Sequence, residues 1–332
     1  MLHTGGTFSM LERLGVMESP KGDLAEDLLL AVPELGQIAE VETVVPFTQD
    51  SAELTLDNIN RQAEIIANNC DHFDGFVVIH GTDTMAYTAS ALSFMLRALN
   101  KPVIFTGSQR PFMQIRTDAR TNLINSVEIA TSAFKETAIF FGNKLLRGNR
   151  STKVSTWKFE AFESPNFPLL GEAGMNINLN LTTKHILPTD QQFSPFYNLN
   201  SSLFIIFIHP GLQIGPLKTL LDTSLKAFII VAYGAGNLPT STEVGLVDFV
   251  KEAIEREKIV AVNTQCRHGR VSLNIYESAR KIKELGSISC LDMTIEASTM
   301  KLNYLLSKYP DDPNMVKTLF TKNIAGELTE EK

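Results

Sequence analysis

The sequence predicts an α/β protein: a larger N-terminal domain with a doubly wound, mostly parallel sheet, then a smaller C-terminal α/β domain. Three observations predict this. Short apolar runs rich in β-branched and aromatic residues recur, each the mark of a strand covered on both faces. Segments with a helical apolar period lie between them. The alternation breaks after Phe162 and resumes near Phe204. The 332-residue length suggests two domains and leaves ample chain for a core. We expect boundaries at 1–186 and 201–332, with a linker over 187–200.

The elements follow in order. Met1-Leu2-His3-Thr4-Gly5-Gly6-Thr7 opens almost directly on a Gly-Gly turn, with too few residues before it for a normal strand. Either the fold lacks a usual first strand or the start codon was assigned too late. Phe8 to Gly22 shows no clean period and reads as a mobile loop. From about Asp57 to Asn69, Ile59, Ala63, Ile66 and Ala67 share one helical face, with Asp57 as cap. Phe76–Ile79 is a buried strand, and Met85 to Leu99 is apolar all round, as a buried helix would be. Val103–Thr106 is the next strand, Ala119 to Ala133 a helix and Ala138–Phe141 a strand. Glu163 to Asn200 is rich in Pro, Asn, Ser and Thr. Within it, Asn176–Leu181 alternates like an exposed strand. Strands resume at Phe204–Ile208, Ala227–Val231 and Ile259–Val262, with helices near Glu243–Arg256 and Thr294–Ser307.

The polar residues of interest stand at turns. In Gly75 to Met85, a strand runs into Gly81 and then Thr82-Asp83-Thr84 before a helix. Ligands of open α/β sheets sit at the carboxyl ends of strands, beside such turns. The ordinary reading is helix capping, and capping alone accounts for Thr-Asp-Thr. Thr4-Gly5-Gly6-Thr7 is a second polar turn. A threonine hydroxyl in a glycine-rich turn acts as a nucleophile if its deprotonation is assisted. A Thr-Asp pair supplies acid/base groups, and a lysine such as Lys153 relays a proton if burial lowers its pKa. Read alone, Lys153 is an exposed loop lysine.

Motifs spread along the whole chain carry a resemblance. Thr4–Thr7 and His80-Gly81-Thr82-Asp83-Thr84-Met85 resemble the two signature motifs of the L-asparaginases, specifically the cytoplasmic type I bacterial branch and its animal relatives. The similarity continues through Ala86–Leu96, Lys101–Ile104, Thr106–Gln109, Arg147–Arg150 and Thr152-Lys153. It resumes at Tyr233-Gly234, Gly236-Asn237, Thr264–Cys266, Asp292–Thr294 and Gly326–Thr329.

The resemblance implies hydrolysis of L-asparagine to aspartate and ammonia, without cofactor or metal. It implies Thr7 as nucleophile on the side-chain amide and a hydrogen-bonded triad of Thr82, Lys153 and Asp83. In that pattern Lys153 handles the proton, and Asp83 also holds the substrate α-amino group. Gln49–Thr55 resembles the substrate loop, with Asp50 and Ser51 matching and Ser51 on the α-carboxylate. Ala52 stands where type I enzymes carry serine. Met17 occupies the place of a loop tyrosine found in bacterial relatives. Val231-Ala232 replace the arginine that precedes Tyr-Gly at the type I allosteric site, although Thr152 and Cys266 are retained, so weak or absent homotropic activation is expected. The family completes its site from a neighbouring subunit, and Tyr276 is the candidate here, which implies a homodimer or homotetramer.

Two other readings stand beside this one. One is a catalytically impaired asparagine-binding sensor or scaffold, kept open by the apparent lack of a first strand and by the Met17 and Ala52 departures. The other is the asparaginase-like subunit of a transfer-RNA-dependent amidotransferase, which carries an extra N-terminal domain. Composition excludes further classes. A net charge of -7 argues against nucleic acid or an anionic membrane surface as main partner. Cys70, Cys266 and Cys290 lie far apart, which fits a reducing, cytoplasmic compartment. The six histidines form no metal-spaced pair. No apolar span long enough for a membrane and no signal peptide is seen.

Overall fold

The computed structural model describes residues 1–6, 11–13, 16–18, 31–180 and 192–330. It divides the chain into two compact units, Met1–Tyr197 and Asn198–Lys332. Five of the residues in the expected linker, 187–191, lie outside the described residues.

In the first unit the strands are β1 (Leu2–His3), β2 (Leu11–Arg13), β3 (Val16–Glu18), β4 (Phe76–Ile79), β5 (Val103–Thr106), β6 (Thr137–Phe141), β7 (Lys144–Arg147), β8 (Thr152–Lys153), β9 (Phe162–Glu163), β10 (Gly171–Ala173) and β11 (Ile177–Leu179). Among the described residues the helices are α1 (Leu35–Ile38), α2 (Leu56–Asn68), α3 (Met85–Met95) and α4 (Ala119–Ala130). The main sheet has the order β1-β4-β5-β6-β7-β10-β11. The first four strands are parallel, with Leu2 opposite Val78, Val78 opposite Phe105 and Ile104 opposite Ala138. The last three continue it antiparallel. Val77, Ile79, Ile104, Ala138 and Phe140 share one face and pack with Leu123 and Val127 of α4. The intervening residues Phe76, Val78 and Phe105 point to the other face by the period of two and are also buried. That double burial is why these strands are unbroken apolar runs.

Several expectations change. A first strand does exist. Leu2 and His3 pair with β4, and Leu2 also bridges to Val44, so two residues suffice at a sheet edge. The stretch read as a mobile loop contains the β2–β3 ribbon among its described residues, with Glu12 opposite Met17. Helix α2 starts one residue before its expected cap, Asp57. Instead, Asn58 Oδ1 accepts from the Thr55 amide and hydroxyl, both at 2.9 Å. Helix α3 stops at Met95, and Ala98 and Asn100 then adopt φ of 66° and 58°.

The second unit is a four-stranded parallel sheet in sequence order: β12 (Leu203–Phe207), β13 (Ala227–Ala232), β14 (Ile259–Thr264) and β15 (Ile288–Ser289). Its helices are α5 (Leu246–Glu255), α6 (Glu277–Glu284), α7 (Ile295–Lys308) and α8 (Pro313–Phe320). Phe228, Ile230, Val260 and Val262 meet Phe249 and Val250 of α5 and Ile282 of α6. On α7, the wholly buried Lys301 pairs with Glu327 and donates to the Phe320 and Lys322 carbonyls at 2.7 and 2.6 Å, which pins the chain end to this helix.

Candidate functional site

The carboxyl ends of β1, β4 and β5 open at one edge of the sheet. Glycine follows each strand closely, and each approaches the backbone of another segment. A Cβ on Gly6 would fall 2.3 Å from the Gly81 Cα, and one on Gly81 would fall 2.6 Å from the Ser51 Cβ. A Cβ on Gly107 would lie 2.3 Å from the His80 carbonyl oxygen, and one on Gly5 2.5 Å from the Gln49 backbone. Only glycine permits this stacking. Gly5 and Gly6 also take φ of 102° and 80°. The Gly-Gly turn, the Gln49–Ser51 segment and the turn after β4 are thereby fixed against one another. Thr7 follows Gly6 in the chain and lies outside the described residues.

Thr82, Asp83 and Lys153 come together. Lys153 Nζ donates to Thr82 Oγ1 and to Asp83 Oδ1, each at 2.7 Å. Thr82 is buried, the Lys153 side chain is 21% exposed, and that of Asp83 is 62% exposed. Lys153 is therefore held by a hydroxyl and a carboxylate about seventy residues earlier in the chain, on the strand β8 rather than on a free loop. The capping expectation is corrected. Helix α3 receives no side-chain cap from Thr84. Instead Thr84 Oγ1 donates to the Ser51 carbonyl at 2.8 Å, and the Asp83 amide donates to Ser51 Oγ at 3.3 Å. Ser51 itself is buried. Asp50 Oδ1 accepts from the Ala52 amide at 2.9 Å, capping the short 3₁₀ turn Ser51–Glu53. Ala52 is exposed and offers a methyl group where a hydroxyl was expected.

The sequence matches the family model described as "Asparaginase, N-terminal" over residues 1–185 and the one described as "Glutaminase/Asparaginase C-terminal domain" over residues 203–320. The chain belongs to the asparaginase family. It is 38% identical over 331 residues to L-asparaginase 1 of Escherichia coli K12, covering 98% of this chain and 96% of that protein. The crystal structure of L-asparaginase I from Vibrio cholerae matches with a TM-score of 0.86 and 37% identity, over 99% of this chain and 98% of that one. The thermostable L-asparaginase from Thermococcus kodakarensis matches at 0.87 with 30% identity, over 99% and 98%.

In this member of the asparaginase family the support behind the site is also visible. His80 is wholly buried, and its Nδ1–H donates to the Gly81 carbonyl at 2.7 Å. Burial pulls its pKa down to about 4, so the ring is neutral near pH 7. The Phe105 ring meets it edge-on, 5.8 Å between centroids. Tyr276 belongs to the second unit, immediately before α6, with its side chain partly exposed. Sequence reasoning missed Thr84 as a partner of Ser51, and it gave no role to Gln109 or Asp118. The Asp118 carboxylate accepts from the Gln109 amide at 3.1 and 3.0 Å and from the Arg110 amide at 3.1 Å. The signal available was the Gly107-Ser108-Gln109 turn, which leaves β5 where Gly81 leaves β4. Among the described residues, no group of three or more His, Cys, Asp or Glu is placed to hold a metal ion.

Proposed function

We propose that this chain hydrolyses L-asparagine to L-aspartate and ammonia through a covalent threonine intermediate. One observation carries the reading: a lysine amine 2.7 Å from both a buried threonine hydroxyl and a carboxylate, beside a turn that leads into Thr7. An amide is a poor electrophile, and an acyl-enzyme splits one hard step into two easier ones. Thr7 Oγ attacks the side-chain amide carbon, and its proton passes toward the departing nitrogen, which leaves as ammonia. Water then attacks the ester, and aspartate and the free Thr7 hydroxyl result. Lys153 is the proton carrier. Thr82 orients the water and the nucleophile, and Asp83 accepts a hydrogen bond from the lysine amine and engages the α-amino group. Backbone amides beside Thr82 stabilise the oxyanion, a contribution worth roughly 3 kcal/mol per donor.

Ser51 holds the α-carboxylate, with Asp50 and the Ala52 backbone shaping that end of the pocket. No cofactor or metal is required by this chemistry. We extend the reading to a homodimer or homotetramer in which one copy offers Tyr276 to its neighbour's site. The reading also extends to a cytoplasmic location. The scattered cysteines support it, and no helix among the described residues is long and apolar enough to cross a membrane. At the position before Tyr233, where an arginine is expected for homotropic activation, stands the buried Ala232. A hyperbolic rate curve is therefore expected.

The test is ammonia release from L-asparagine and L-glutamine, with Thr7→Ala alongside. Asparagine-dependent release that Thr7→Ala abolishes supports the nucleophile and the reaction. Asparagine binding without release, unchanged by Thr7→Ala, refutes the reading in favour of a sensor. Glutamine is longer by one methylene, a difference worth about 1–3 kcal/mol, so a preference for asparagine is expected.

A further inference from the structure

Lys153 ends a strand of two residues. The chain leaves β8 at Val154 and returns at Ala161, whose carbonyl accepts from the Val154 amide at 2.8 Å and the Ser155 amide at 3.3 Å. The excursion between them is a tight turn. Ser155 Oγ accepts from the Trp157 and Lys158 amides at 3.3 and 3.0 Å, and the Trp157 side chain is 80% exposed. So short a strand does little by itself to fix the root of a long, flexible side chain. Yet Lys153 Nζ must reach Thr82 Oγ1 and Asp83 Oδ1 together.

A second segment steadies this turn. Gln109 Nε2 donates to the Ser155 carbonyl at 3.3 Å and to the Lys158 carbonyl at 3.1 Å, so one amide group spans the turn that begins two residues after Lys153. Gln109 is in turn held from behind. Both Asp118 oxygens accept from its backbone amide. Asn122 Nδ2 donates to Asp118 Oδ2 at 3.1 Å and to the Gly107 carbonyl at 3.0 Å. Gly107 lies against the His80 carbonyl, in the strand end that carries Thr82. A continuous set of hydrogen bonds thus runs from the start of α4 through Gln109 to the lysine-bearing turn.

We infer that Gln109 is a positioning residue for Lys153, using its side-chain amide to set where the lysine amine meets Thr82 and Asp83. The inference rests on the reading of Lys153 as proton carrier. Asp118 acts one step further back, by fixing the Gln109 backbone. Misplacement of a reacting group by about 1 Å costs up to about 100-fold in rate. Loss of the amide donors therefore lowers kcat, while the Ser51 end of the pocket and hence KM are spared.

The experiment compares Gln109→Met, Gln109→Lys, Ser155→Ala and Lys153→Met with the unaltered full chain, by ammonia release and thermal unfolding. Gln109→Met keeps the length but has no donor, and its kcat is expected to fall about 10- to 100-fold with KM held within about two-fold. Gln109→Lys restores a donor to the two carbonyls and should recover most of that loss. Ser155→Ala loosens the same turn at a half-buried point and should lower kcat in the same direction even if Gln109→Met does not fold. A merely structural role would lower the unfolding midpoint without this split or this recovery. Wild-type kcat in folded Gln109→Met, or an equal loss in Gln109→Lys, overturns the inference. Wild-type kcat in Ser155→Ala does so where Gln109→Met does not fold. Lys153→Met separates the two levels. If it abolishes turnover while folded Gln109→Met keeps wild-type kcat, only the positioning role falls. If it leaves turnover intact, the reading of Lys153 falls and takes this one with it.

Discussion

Gly81→Ala is the sharpest perturbation the site offers. Gly81 is absent from the glycines with positive φ, so a methyl group there adds contact rather than torsional strain. The new Cβ would stand 2.5 Å from Ser51 Oγ, 2.6 Å from Ser51 Cβ and 3.2 Å from Gly6 Cα. Carbon atoms in contact normally lie about 3.5–4.0 Å apart, so something must move by about 1 Å. Ser51 cannot swing aside freely, because its carbonyl accepts from Thr84 and its hydroxyl from the Asp83 amide. Gly6 cannot retreat without dragging the turn that leads into Thr7. A displacement of about 1 Å at reacting groups costs up to about 100-fold, or about 2.7 kcal/mol of barrier at 1.36 kcal/mol per decade. Overpacking costs about 1–3 kcal/mol of stability, less than the usual total of about 5–15 kcal/mol, so the variant should fold. The assay is kcat/KM for asparagine by ammonia release, with denaturant unfolding of the same samples. Gly75→Ala is the control. Its Cβ would fall 2.3 Å from the Ala130 carbonyl oxygen, an equally tight contact, but at the opposite end of β4. It should lose stability and keep its kinetics. A folded Gly81→Ala within about three-fold of wild-type kcat/KM, where about 100-fold is expected, would refute the claim that glycine contacts set the site.

Three further outcomes are expected. Lys153→Met should lower kcat by about 10²–10⁴ yet change stability by under about 1 kcal/mol, because the Asp83 partner is largely exposed; a large loss of stability in denaturant would contradict this. Lys301→Met should cost about 3–5 kcal/mol by leaving Glu327 buried without its counter-charge, and a midpoint change equivalent to less than about 1 kcal/mol would show that the pair is dispensable. Acid should destabilise the protein through His80. Burial holds its folded-state pKa near about 4 against an ordinary 6.5, so the unfolded chain takes up the proton first as pH falls. The stability from a neutral His80 is whole above about pH 6.5 and is lost toward pH 4, by about 3 kcal/mol at pH 4. His80→Asn, which keeps a donor for the Gly81 carbonyl, should flatten the pH dependence of the denaturant midpoint over that window, and an unchanged slope would refute the assignment.

The strands that frame the site were legible because burial on both faces leaves a continuous apolar run, as in Phe76–Ile79 and Ala227–Val231. On the antiparallel side, Lys144–Arg147 and Gly171–Ala173 are too short to show a period, whereas Ile177–Leu179 was legible because the alternation extends past its ends. The end of α3 was misjudged for a related reason. Leu96 to Leu99 are apolar enough to continue a helix, and only the backbone turns at Ala98 and Asn100 end it. The polar turn was read locally as capping, with a ligand site at the strand end as the local alternative. The partners of Thr82 and Thr84 are Lys153 and Ser51, separated from them by 71 and 33 residues. Such pairs leave no periodic trace in a sequence. The resemblance of two distant motifs to the asparaginases, rather than any pattern within either one, brought Lys153 into the same argument.

What fixes this site is mostly main chain against main chain. Gly5 meets Gln49, Gly6 meets Gly81, and Gly107 meets the His80 carbonyl. Contacts of this kind involve no rotamers, so they transmit position with little slack, whereas a side-chain packing contact can relax by repacking. The exception is Lys153, which reaches the centre on a flexible stem of four carbons and arrives from a strand of two residues. Thr82 and Asp83 directly follow the tightly held Gly81, whereas Lys153 follows no such glycine, and the turn after it is the place where a side-chain amide, that of Gln109, spans two carbonyls. Rigid backbone stacking at the Thr82 end and hydrogen-bonded support at the lysine end are two answers to the same requirement, a lysine amine held 2.7 Å from both of its partners.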